Sequence, residues 1–230
     1  MRPPRTIRHL LFLVGILLLA CNPVPAQQIV DHVVDRAVDR VVDRIVARIE
    51  NDVILLSDVR LLARYQLLVD GKSESDAQIL DRLVDQWIVR NEATVARTPR
   101  PSGDDIQRGM QRLLQSFASN DDYQARRKLA GLSEAEVTQL TTEQVYLDNY
   151  LDSRFRPSAQ VDEAAIQDFY QTAVVPRAKA RNQNPPTLDA AHDYIQEALI
   201  QRGIDQQAGR WLQESHSRIR VTKMLEENHP

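Results

Sequence analysis

Twice in this chain a serine stands three residues ahead of a glutamine or glutamate at the head of an amphipathic run: Ser75 with Gln78, and Ser133 with Glu136. In such a pair the serine hydroxyl takes an orphan N–H of the first helical turn, and the longer side chain returns to the serine's own N–H. Each pair therefore marks a helix start. Behind the first, Ile79, Leu80, Leu83, Val84, Trp87 and Ile88 recur at three- and four-residue spacing, as do Val137, Leu140, Leu147, Leu151 and Phe155 behind the second. Ser57, Ser102, Asn120 and Thr187 read as the openings of further helices, and Gly71 and Gly131 as helix ends. Another helix is predicted from about Asp162 to Gln171, and the helix after Thr187 carries Ile195, Leu199, Ile204, Trp211 and Leu212, with a kink expected at Gly203.

Two short runs, Ile45–Ile49 and Val53–Leu56, flank Glu50-Asn51-Asp52, and because Asn and Asp tolerate positive φ a tight hairpin is predicted there. Arg218-Ile219-Arg220-Val221 alternates as a strand does. A lone hairpin is marginal in water, so this distant strand is expected to return and pair with the first two. The fold class that follows is mainly α with a small antiparallel β-sheet (α+β), closed by the C-terminal helix and strand. Residues 45–172 form the main domain, 173–186 (with Pro176, Pro185 and Pro186) a linker, 187–222 the returning helix and strand, and 223–230 a tail.

At the other end, Arg2, Arg5 and Arg8 precede an apolar run from Leu10 to Cys21 and then Asn22-Pro23-Val24-Pro25-Ala26. A basic start, a short apolar stretch and a small-residue exit make residues 1–26 a secretory signal peptide, cut between Ala26 and Gln27. Twelve apolar residues reach only about 18 Å as a helix, against a bilayer core of about 30 Å, so no membrane span is expected in the mature chain. The alternative is a lipobox at Leu18–Cys21, which would make Cys21 a lipidated first residue and a membrane anchor. Cys21 is the single cysteine, so the body holds no disulfide. Three of the 29 basic residues lie in this leader, so its removal takes the net charge from −3 to −6. An acidic body argues against a nucleic-acid partner. Residues 27–44 form an extension of VVDR-like tetrads that run on into IVAR at 45–48. The pattern fits a helix better than a strand, although a four-residue period drifts around a 3.6-residue helix.

Chemistry-bearing motifs are absent. The sequence contains no GxGxxG, GxxxxGK[ST], GxSxG or HExxH, and His32, His192, His216 and His229 lack ligand spacing. No catalytic residue, metal or cofactor is assigned. His192 with Asp189 reads as a solvated pair, and Asp121-Asp122 as charges favoured at a helix N-terminus.

Four segments nevertheless resemble, in order, one family. VDRIVARIENDVILLSDV (42–59), QILDRLVDQWIVRNEA (78–93), VDEAAIQDFYQ (161–171) and TLDAAHDYIQEALIQRGIDQQAGRWLQESHSRIRV (187–221) are similar to the N-terminal module of SurA-type periplasmic chaperones. The resemblance implies a helical chaperone module, related to the trigger-factor C-terminal type, whose two chain ends meet in one sheet. It also implies an exported, periplasmic, ATP-independent chaperone that binds unfolded envelope or outer-membrane polypeptides. The family's parvulin domain would stand between the third and fourth segments, where this chain has about fifteen residues, so prolyl-isomerase activity is not expected. Tyr146, Tyr150, Phe155, Phe169 and Tyr170 are the candidate client-binding side chains, with burial in the core as the competing reading. A dedicated envelope assembly or interaction protein on the same fold is the alternative, motivated by the tetrads.

Overall fold

The computed structural model describes residues 43–225; the leader, Cys21, Ala26, Gln27, the tetrads through Val42, His32 and the tail from Glu226, with His229, lie outside them. β1 (Ile45–Ile49) and β2 (Asp52–Leu55) form an antiparallel hairpin, and β3 (Val221–Lys223) adds antiparallel to the far side of β1, in the order β2-β1-β3. Between them run α1 (Leu56–Asp70), α2 (Asp76–Val95), α3 (Gly103–Gln115), α4 (Asn120–Leu129), α5 (Glu134–Phe155), α6 (Glu163–Phe169), α7 (Val175–Ala180) and α8 (Leu188–His216). The protein is mainly α with one small antiparallel sheet.

The sheet is central because its middle strand is apolar on both sides: Val46, Ala47 and Ile49 are fully buried. They pack with Ile54, Val59, Leu62, Ile79, Leu80, Val84 and Ile88, and with Ile219 and Val221 from the far end of the chain. The last tetrad, Ile45–Arg48, is therefore strand rather than helix. β3 begins at Val221, three residues later than the alternation at 218–221 predicts; the stretch before it turns, and Ile219 packs below the sheet. The hairpin turn is Glu50-Asn51, and the residue at positive φ is Glu50 (φ 49), not Asn51 or Asp52. Glu50 is held there from outside: the Arg220 N–H donates to its carboxylate at 2.7 Å, and its own N–H donates to the Arg220 carbonyl at 3.1 Å.

Helix boundaries follow capping chemistry. Ser75–Gln78, Ser102–Asp105 and Ser133–Glu136 all form reciprocal boxes, and Thr187 accepts the Ala190 N–H. Two starts differ from expectation. α4 is capped by Ser119, one residue ahead of Asn120. α1 begins at Leu56, so Ser57 lies inside its first turn, where its N–H and hydroxyl both bond to the Asp43 carboxylate. Gly71 (φ 67) and Gly131 (φ 66) take the left-handed conformation that ends helices.

The expected linker at 173–186 is helical over its first half. α6 runs through a π-helical turn at Tyr170–Val174 into α7, because Pro176 falls in the first turn of α7, where proline's missing N–H costs nothing. The irregular part shrinks to residues 181–187. α8 runs unbroken through Gly203, where a Cβ would lie 3.1 Å from that of Ala159. As expected, the helix does not end at that glycine, which also gives α8 close approach to Ala159, just past the short turn that follows α5. His192 meets Glu163 of α6 at 3.0 Å and Asp193 at 3.1 Å, instead of Asp189.

At the α4–α5 corner the Tyr123 hydroxyl donates to Glu134 at 2.8 Å. Burial first, and then this bond, push the Tyr123 phenol up to about 12. Between pH 10 and about 12 the unfolded chain loses this proton while the folded one keeps it, so folding stability declines across that window. Denaturant titrations at about pH 9 and about pH 11.5 should show a steeper loss for the parent than for Tyr123→Phe.

Candidate functional site

The outer edge of β2 has no strand neighbour among the described residues. Its Val53 is 43% exposed, while Ile54 is buried at 6%. Successive strand residues face opposite ways, so a cavity touched by both must run along the strand's edge. One does. A groove of about 280 Å³ is walled by Val53 and Ile54 of β2, Leu61 and Leu62 of α1, Leu83 and Trp87 of α2, and Leu140 of α5. Polar groups rim it: Asp58, Gln86, Gln139 and the Arg90–Glu143 ion pair that ties α2 to α5.

Local folding places each wall. Trp87 is half-buried and donates its indole N–H to Asp52 at 2.8 Å, which fixes the ring against the strand that begins there. Asp58 accepts the Leu55 N–H at 2.9 Å, where β2 passes directly into α1, so strand edge and helix wall are continuous. The groove thus sets a strand edge with no strand neighbour among the described residues beside an apolar trough. That combination lets an extended peptide add a strand while inserting alternate side chains.

The aromatic candidates lie elsewhere. Tyr146 (2% exposed), Tyr150 (3%) and Phe155 (9%) are core residues of α5, and none of them lines the groove. Tyr150 and Phe155 pack against Trp211 at 6.3 Å and 6.0 Å between ring centroids. Phe169 and Tyr170 are half-buried against α8 around Ile195, and the Tyr170 hydroxyl donates to the Pro186 carbonyl at 2.6 Å. The five do not converge. α5 is contacted by α2, α3 and α8, so its aromatic side is enclosed.

The groove residues did leave a signal in the sequence. At 100° per residue the apolar positions of α2, from Ile79 to Ile88, span about 180°, wider than one packing contact requires. Leu83 and Trp87 sit mid-stripe yet remain half-buried.

Neither a protein-family model nor a curated protein matches this chain. Among the described residues no helix is long and apolar enough to cross a membrane, and no three His, Cys, Asp or Glu are grouped to hold a metal ion.

Proposed function

We propose that this protein is an exported, ATP-independent chaperone of the SurA type. In this reading it holds unfolded envelope or outer-membrane polypeptides in the periplasm and has no prolyl-isomerase activity. The observation that carries the reading is the apolar groove along the β2 edge, which has no strand neighbour among the described residues. Backbone pairing is blind to client sequence, and a shallow apolar trough accepts many side chains. Together they suit weak, general binding on the order of micromolar, about −8 kcal/mol. The ordered resemblance of the four segments and the secretory leader supply the compartment and the class of client.

The test is light scattering from a chemically unfolded outer-membrane protein diluted into buffer with the protein in excess. Scattering should fall strongly with the parent. Val53→Lys, a substitution at a solvent-facing groove position, should retain the parent's far-UV spectrum yet lose at least about half of the protection. Unchanged scattering with the parent, or full protection with Val53→Lys, would count against the reading.

A further inference from the structure

A second cavity, of about 480 Å³, opens on another face of α5, between its C-terminal half and the loop that follows α2. Three arginines line it: Arg97, Arg100 and Arg154. In a chain with net charge −3 this is an unexpected concentration of cations. Its acidic lining residue, Asp105, is already engaged, because its carboxylate accepts the Ser102 N–H and hydroxyl and pairs with Arg108. Arg154 is also partly committed. It bonds to the Tyr150 hydroxyl at 2.6 Å, lies 4.8 Å from the Trp211 ring and faces Glu92 at 3.7 Å. Arg97 and Arg100 have no carboxylate partner among the described residues.

The backbone under those two is specific. Arg97 sits at φ 55, just past the end of α2, where its N–H bonds to the Thr94 carbonyl and that of Thr98 to the Ala93 carbonyl. Glycine is the usual occupant of such a helix-ending position, and a Cβ there is strained. The other non-glycine residues at positive φ have local reasons: Glu50 is bonded to Arg220, and Asn182 is a type that tolerates it. Arg97 likewise has one, since its two helix-closing bonds account for the conformation, and what its side chain adds is a cation on the cavity wall. Arg100 stands between Pro99 and Pro101, whose rings restrict the loop. Its guanidinium lies 4.4 Å from the Tyr146 ring centroid. A guanidinium stacked on a ring keeps its in-plane N–H donors for another ligand, in a fork that matches oxyanion geometry.

We propose that this cavity is a binding site for a compact oxyanion of the phosphate type, gripped by Arg97 and Arg100 with Arg154 at its inner wall. A free phosphate and a phospholipid headgroup present the same chemistry, and the experiment separates them. Isothermal titration of the full chain with inorganic phosphate, at constant ionic strength, should give saturable binding with Kd below about 1 mM. A parallel arm measures co-sedimentation with phosphatidylglycerol vesicles against phosphatidylcholine vesicles.

Arg97→Gly should weaken binding at least about tenfold while melting at or above the parent's midpoint, since glycine suits that backbone. Arg100→Gln should weaken it similarly, with a fall of a few degrees at most in the melting midpoint from the lost contact with the Tyr146 ring. Free-phosphate binding lost in both variants supports a soluble oxyanion. Sedimentation with phosphatidylglycerol alone, also lost in both, supports the headgroup. Absence of binding in both arms, or binding that either variant leaves intact, overturns the proposal.

Discussion

A stop after Ser217 should cost about 4–6 kcal/mol of folding stability, read as a shift in the urea midpoint. That deletion removes Ile219, Val221 and Leu225, all packed on the cluster around Val46 and Ile54. It also removes the β1–β3 ladder and the bond from the Met224 N–H to the Val46 carbonyl at 2.8 Å. Three partly buried apolar side chains are worth about 1–1.5 kcal/mol each by transferred area. The freed ladder groups on β1 add to the loss, because Val46, Ala47 and Ile49 are inside and their strand becomes an open apolar edge. The truncated protein should consequently self-associate at concentrations where the parent stays dispersed. A truncated chain with the parent's urea midpoint would show that the return of β3 is decorative rather than structural.

Trp211→Ala should cost about 3 kcal/mol, lowering the melting midpoint by about 6–12 °C. The indole is only half-buried, which places the cost at the lower end for a tryptophan truncation, but its position compensates. It touches three otherwise separate clusters: the sheet core, the group around Tyr146 and Tyr150, and the group around Phe155 and Ile204. Its ring stands 6.3 Å and 6.0 Å from those of Tyr150 and Phe155, with the Arg154 guanidinium over it at 4.8 Å. Trp211→Phe should recover most of the loss, since a smaller ring still bridges α5 and α8. A shift too small to resolve for the alanine variant would mean that these clusters hold together without the bridge.

Much of the helical framework was legible in the residues because helix termini are local events. Ser75, Ser102, Ser133 and Thr187 cap the helices that follow them, since the groups they satisfy lie within three residues. Where local chemistry was ambiguous, distant contacts decided. Ser57 reads as a cap, but Asp43 claims its hydroxyl and the helix starts earlier. Pro176 reads as a breaker, yet in a first turn it breaks nothing. Gly203 reads as a residue that its helix runs through, and only the fold shows that Ala159 needs its missing side chain.

The functional side was less legible for the same physical reason. Tyr146, Tyr150 and Phe155 have the composition of a binding surface, and only the packing of α2, α3 and α8 around α5 shows them enclosed. The groove along β2 could not be read directly, because whether a strand is edge or centre depends on which strand returns to which side. What the sequence determined by itself was the helices other than α7, the hairpin strands and the apolar faces, all governed by spacing of a few residues. The tertiary structure alone decided that β3 joins β1 rather than β2, which leaves the outer edge of β2 without a strand neighbour among the described residues, beside an apolar trough. That choice rests on burial summed over residues more than 160 positions apart, and no local pattern encodes it.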